Sequence, residues 1–257
     1  MPGTVVLVVS YDGSGFAGFA RQPGLETVQG RVEDALRTVL RRECDTVGAG
    51  RTDAGVHARA QVMTFSADGS EPDSSALLRS LNALVGDGIV VTEVHLAPDG
   101  FSARHSAVGR EYRYRLVPGP VPPLFLAPYA WWVKGTLDLG AMSAAAAALI
   151  GEHDFRSFCV TASAEGQRTH RRLDAVDITP ETVLGEHSVV VRVAGNAFLH
   201  SMVRTIVGSL VEVGLGRHPA SWIGEVLEAR DRAAAGLTAP AHGLVLWHVQ
   251  YPEECWL

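Results

Sequence analysis

The first hundred residues switch repeatedly between two hydrophobic periods, and that alternation limits the chain to folds mixing strands with helices. Thr4–Tyr11 (TVVLVVSY) is a valine-rich run closed by Asp12-Gly13, as expected of a buried strand. Thr27–Arg42 instead places Val28, Val32, Ala35, Leu36, Val39 and Leu40 at helical spacing. Strands are expected at Thr46–Gly50 and Gln61–Ser66, flanking a turn. A helix follows at Ser74–Val85, with serine available as its N-cap, then a strand at Ile89–Leu96.

Pro98-Asp99-Gly100 reads as a hinge. Beyond it, an alternating strand is expected at Glu111–Val117, and a loop at Pro118–Pro123, which holds four of the thirteen prolines. Helices are expected at Asp138–Ile150, Leu199–Val213 and Pro219–Arg230, and strands at Leu173–Thr179, Ser188–Ala194 and Leu244–Tyr251. A chain of 257 residues suits one large or two small domains. With 47% hydrophobic residues it is not a disordered polymer.

No apolar run approaches the ~18 residues of a membrane span. No basic region precedes the first apolar stretch, so a signal peptide is not expected. Cys44, Cys159 and Cys255 are far apart and odd in number, which suits reduced thiols in a cytoplasmic protein better than a disulfide framework or zinc site.

The net charge is −6, which counts mildly against a nucleic-acid binder. Yet of 22 basic residues only Lys134 is lysine, and the arginines cluster. Arg104, Arg110, Arg113 and Arg115 fall together with one acid, Glu111, and Arg168–Arg172 carries three arginines and no acid. Arginine presents a planar fork to phosphates and base edges; composition bias explains the count equally well.

Gly13–Gly18 matches G-x-G-x-x-G after a strand, but a dinucleotide site needs a helix starting at the loop, and Arg21-Gln22-Pro23-Gly24 intervenes. The densest segment is Gly48–His57 (GAGRTDAGVH). Arg51 and Asp53 are two apart, so in an extended stretch they share a side. A guanidinium beside a carboxylate keeps the acid ionised, as a nucleophile requires; ordinary turn chemistry is the plain alternative. Tyr112 and Tyr114 would share one strand face, as a stacking surface for bases or as core. Arg204 lies beside the apolar stripe of Met202, Val203, Ile206 and Leu210. Buried, it would need a carboxylate such as Asp53. The ten histidines show no metal-ligand spacing, and no G-x-S-x-G is present.

Ala49–Ala58, AGRTDAGVHA, resembles the signature of the TruA family of tRNA pseudouridine synthases. Other family-like segments occur in the same order across nearly the whole chain. They include Tyr11-Asp12-Gly13, Thr27-Val28-Gln29, Leu81-Asn82-Ala83, Phe101-Ser102-Ala103-Arg104, Arg110-Glu111-Tyr112-Arg113-Tyr114, His153-Asp154-Phe155, Asn196-Ala197-Phe198 and Gly243-Leu244. Two departures are visible: Phe19-Ala20 stands where the family has tryptophan and glutamine, and Val85 replaces a usual proline.

The resemblance implies a mixed α+β fold of two ferredoxin-like, RRM-like halves. Each would be an antiparallel sheet backed by helices, residues 1–105 and 106–257, with a central cleft. It implies a cytoplasmic homodimer without metal or organic cofactor. The activity would be isomerisation of uridine to pseudouridine in the anticodon stem-loop of tRNA, at positions 38 to 40. Carried over by motif, Asp53 is the nucleophile, Tyr112 stacks on the target base, and Arg51 is linked to flipping the uridine. Arg204 is the basic partner of the aspartate, and Leu244 the apolar residue near the base, with Leu246 a competitor. A non-catalytic RNA-binding protein of the same fold is the alternative. Five tryptophans, Trp131, Trp132, Trp222, Trp247 and Trp256, lie in the second half; some offer a candidate partner patch, while core burial is the better reading for most of them.

Overall fold

The structure, a computed structural model, describes residues 3–166 and 168–253. The chain falls into two compact units. One comprises residues 3–110 with 246–253, the other residues 111–245.

In the first unit β1 (Thr4–Tyr11) leads through a short turn and loop to α1 (Val28–Leu40). Thr27 caps that helix by accepting from the Gly30 amide at 3.3 Å. β2 (Val47–Gly48), β3 (His57–Ser66), α2 (Ser74–Leu84) and β4 (Ile89–Ala97) follow. β1 pairs antiparallel with β3 on one side and β4 on the other, and β2 pairs antiparallel with β3. The apolar faces of α1 (Val28, Val32, Leu36) and α2 (Leu77, Leu81) are buried, as their spacing requires. The cap of α2 is Asp73 rather than Ser74: its carboxylate accepts from the Ala76 amide at 2.9 Å. A carboxylate at a helix start gains from the dipole as well as from the hydrogen bond.

The second unit contains β5 (Gly109–Gly119, from residue 111), β6 (Trp131–Lys134), α3 (Leu139–Ala146), β7 (Gly151–Asp154), the short α4 (Thr161–Ala164), β8 (His170–Val183) and β9 (Glu186–Gly195). α5 (Met202–Gly214) and α6 (Trp222–Ala229) complete it, and β10 (Leu244–Gln250) runs from it into the first unit. The strand order is β5-β9-β8-β7, with β8 antiparallel to both β7 and β9. The expectation of purely antiparallel sheets is corrected at one place. β6 pairs parallel with β5, Leu116 opposite Trp131. A parallel pair needs a connection of about a dozen residues, and the proline-rich stretch supplies it. α5 starts at Met202, not Leu199, because Ser201 sits at a left-handed φ of 59°.

Candidate active site

The aspartate loop is held from four sides within the first unit. Burial alternates along it: Arg51 is exposed, Thr52 buried and Asp53 half-buried. Arg51 and Asp53 therefore both lie off the buried side, as their spacing predicted. Thr52 is the anchor. Its hydroxyl meets the Tyr11 hydroxyl at 2.8 Å, and its carbonyl accepts from the Phe19 amide at 3.1 Å. The Asp53 carbonyl closes the turn by accepting from the Val56 amide at 3.1 Å. Before the loop, Gln61 donates to the Gly50 carbonyl at 2.8 Å, and Arg110 donates to the Ala49 carbonyl at 3.0 Å. Several of the loop's backbone carbonyls are thus paired although the loop belongs to no regular element.

The glycine-rich segment Gly13–Gly18 is the other wall of this loop, not a phosphate cradle. Gly13 lies so close to the Val56 carbonyl that a Cβ there would overlap it. Gly18, at φ +103°, would set a Cβ 3.0 Å from the Thr52 carbonyl. His57, buried at the end of the signature, accepts from the Gly13 amide through Nδ1 at 3.1 Å. The Asp12 carboxylate lies 3.2 Å from the same Nδ1 and accepts from the Ser14 amide at 2.9 Å. The first amides of the next helix, α1, are taken by this segment itself: Val28 donates to the Gly18 carbonyl at 3.3 Å and Gln29 to the Phe19 carbonyl at 2.9 Å. Phe19, where a tryptophan was expected, is buried. Its ring lies against Gly48 and is stacked with Tyr11 at 6.3 Å.

Tyr112, Arg204 and Leu244 belong to the second unit. Tyr112 and Tyr114 share the buried face of β5, and Arg113 and Arg115 the other. Tyr112 meets Phe198 edge-on, with ring centroids 5.0 Å apart. Tyr114 is fully buried, and its hydroxyl donates to the Pro240 carbonyl at 2.8 Å. Burial pushes the Tyr114 phenol far above its usual range, against the pull of the positive Arg204. Arg204 grips the next residue of the same segment twice. Its Nε donates to the Ala239 carbonyl at 2.8 Å, and its own carbonyl accepts from the Ala239 amide at 3.1 Å. Gly243 lies under the Tyr114 ring, where a Cβ would come within 2.6 Å. Leu244 follows and is buried. Arg204, Tyr114 and residues 239–244 are therefore one packed assembly. Spacing alone gave no sign of Tyr114's part in it, nor of Phe198's.

Part of each basic cluster is paired with acids. Arg113 and Arg192 both pair with Glu111 at 2.9 Å, and Arg115 pairs with Glu181 at 2.6 Å. Arg172 pairs with Asp174 at 2.8 Å, and Arg168 lies 3.5 Å from Glu152. Cys44 and Cys159 are free and buried, and burial pushes both thiols up. Cys255 and Trp256 lie outside the described residues.

A family model described as tRNA pseudouridine synthase matches residues 145–252. tRNA pseudouridine synthase A of Thermotoga neapolitana is 41% identical, over 96% of this chain and 99% of that protein. The enzymes of that name from Bacillus subtilis and Syntrophotalea carbinolica are 44% and 42% identical. The alignments cover 95% and 98% of this chain and 97% and 98% of those proteins. The chain belongs to the tRNA pseudouridine synthase family. Pseudouridine synthases are isomerases, and the likeness to the A-type enzymes spans both units, so the aspartate loop and the Arg204 assembly both fall within it. In this synthase the matched family segment contains Arg204 and Leu244, while Arg51, Asp53 and Tyr112 precede it. Among the described residues, no helix is long and apolar enough to cross a membrane.

Proposed function

We propose that this chain isomerises uridine to pseudouridine in the anticodon stem-loop of tRNA, at positions 38, 39 and 40, with Asp53 as the nucleophile. The observation that carries this reading is the 41–44% identity to tRNA pseudouridine synthase A over nearly the whole chain. Its bearing on Asp53 comes through the signature Ala49–Ala58. Two halves of ferredoxin-like type, acting in a cytoplasmic homodimer, belong to the same reading.

The chemistry asks for few groups. The Asp53 carboxylate attacks the sugar C1′, and the C1′–N1 bonding pair leaves with the uracil. The uracil turns, its C5 displaces the carboxylate from C1′, the C5 proton passes to solvent, and N1, which kept the bonding pair, takes up a proton in its place. Nothing is oxidised and the proton lost at C5 is matched by the one gained at N1, so the step balances without a cofactor. Tyr112 supplies a face for the flipped base, and its hydroxyl is suited to relay the C5 proton. Arg51, exposed beside the loop, fills the gap that the uridine leaves. Arg204 offsets the charge of the aspartate, and Leu244 gives the base an apolar neighbour.

Primer extension after carbodiimide treatment tests the substrate. With transcripts carrying uridine at 38, 39 or 40, stops at those positions are expected. Stops confined to other positions would overturn the site assignment. Binding without any stop would favour the non-catalytic RNA-binding alternative.

A further inference from the structure

Residues 235–238 have little apolar hold of their own, since Leu237 is 48% exposed. The segment is held instead by polar contacts, three of them from one side chain. The Arg232 guanidinium donates through Nη1 to the Gly236 carbonyl at 3.0 Å and to the Ala235 carbonyl at 3.5 Å, and through Nη2 to the Thr238 hydroxyl at 2.9 Å. Among the described residues it pairs with no carboxylate. The turn that carries Arg232 does not need these bonds. The Asp231 carboxylate already accepts from the Ala233 amide at 3.0 Å, and the amides of Ala234 and Ala235 donate to the carbonyls of Asp231 and Arg232 at 3.1 and 3.3 Å.

Beneath the segment α5 leaves no slack. Gly208 lies under the Leu237 carbonyl, where a Cβ would overlap it, and a Cβ on Gly236 would come within 2.9 Å of the Ser209 Cα. The fully buried Ser209 hydroxyl accepts from the Gly236 amide at 3.0 Å, and the Thr205 hydroxyl meets that of Thr238 at 3.4 Å. Backbone packed on backbone passes a displacement on, because no flexible side chain lies between to absorb it. The next residue is Ala239, which holds Arg204 at Nε and at its carbonyl, at 2.8 and 3.1 Å. A planar guanidinium held at Nε has its direction set by that bond, so the charge of Arg204 follows Ala239.

We propose that Arg232 is a positioning residue for the isomerisation. It fixes the path of residues 235–238 over α5 and thereby, through Ala239, the direction of the Arg204 guanidinium. A rigid fork suits this task, since it makes several hydrogen bonds in fixed directions where a lysine makes them from a single point. The inference rests on the reading of Arg204 as the basic partner of the aspartate and names what keeps that arginine in place.

Tritium release from tRNA labelled at uridine C5 tests it in Arg232→Ala, Arg232→Lys, Thr238→Val and Arg204→Ala, with tRNA binding and circular dichroism measured alongside. A group misplaced by about 1 Å costs on the order of 100-fold in rate, so kcat should fall ~30- to ~100-fold in Arg232→Ala, with KM and tRNA affinity within ~2-fold of native. Arg232→Lys keeps the charge and loses the fork, and should recover less than ~3-fold of that loss. Thr238→Val removes one acceptor and should lower kcat ~3-fold. Deuterium exchange at the Ala239 amide should quicken at least ~10-fold in Arg232→Ala while α5 stays protected. Native kcat in Arg232→Ala with Arg204→Ala impaired would overturn this inference alone. Native kcat in Arg204→Ala would overturn the reading of Arg204 and this inference with it. Full recovery in Arg232→Lys, or weakened tRNA binding at unchanged kcat, would show that Arg232 acts as a bare charge and overturn the proposal. Should Arg232→Ala fail to fold, native kcat in Thr238→Val would overturn it.

Discussion

Thr52 fixes what its two neighbours can do. With its side chain committed inward to Tyr11 and its carbonyl to Phe19, Arg51 and Asp53 are left on the accessible side. The period of two was legible in the sequence. The partner, Tyr11, was not, because it lies 41 residues away. Tyr114 makes the same point in the second unit. Its place on the buried face of β5 follows from alternation, but the Pro240 carbonyl that its hydroxyl serves is 126 residues distant. Tyr114→Phe should leave that carbonyl without its donor and cost about 1–2 kcal/mol, read from urea unfolding. Because Pro240 adjoins the Ala239 grip on Arg204, turnover should fall more than tRNA affinity. A variant with native stability and native kcat would show that the hydrogen bond holds nothing in place.

The elements were legible where the hydrophobic period ran long. β1, α1, β4 and β10 fall within two residues of their expected bounds. Short strands were not: β6 and β7 have four residues each, too few to set a period, and they are fixed by their partners β5 and β8. Loops that read as motifs changed meaning through packing. Gly13 and Gly18 are small because the aspartate loop lies against them. Gly13→Ala should therefore cost about 1–3 kcal/mol by overpacking and reduce turnover through the displaced loop. Native melting behaviour in that variant would contradict the close packing.

The strand pair carrying Glu111 and Arg192 makes a pH prediction. Burial works against the Glu111 charge, but hydrogen bonds from Arg113 and Arg192 win and hold its carboxyl below the ordinary 4.5. A carboxyl depressed in the folded state stabilises above its unfolded pKa, and that stability is lost as pH falls through the folded value. The native chain should lose stability on acidification below about pH 4.5, by roughly 1 kcal/mol for this group. Glu111→Gln should flatten that part of the pH profile. Identical profiles would mean that the pair contributes nothing.

At the scale of the whole molecule, charge distribution matters more than the sum. The chain carries −6, and many arginines that look like a basic stripe in the sequence are spent on internal acids. Sequence clustering could not show this, because Glu181 and Arg192 reach their partners across the sheet. Affinity for tRNA should still be salt-dependent, since phosphate contacts release counterions. With Arg113, Arg115 and Arg192 committed to internal acids, the slope of log K against log salt should stay below about 6 in magnitude. A slope near 10 would require that the internal pairs open on binding.

Asp53 is proposed to carry the isomerisation of uridine. Forming the new C–C bond at C5 must expel the hydrogen there, so tRNA labelled with tritium at uridine C5 reports it directly. The native chain should release tritium, and Asp53→Ala should release none while still binding tRNA. Equal release by both proteins would contradict the assignment of the chemistry to Asp53.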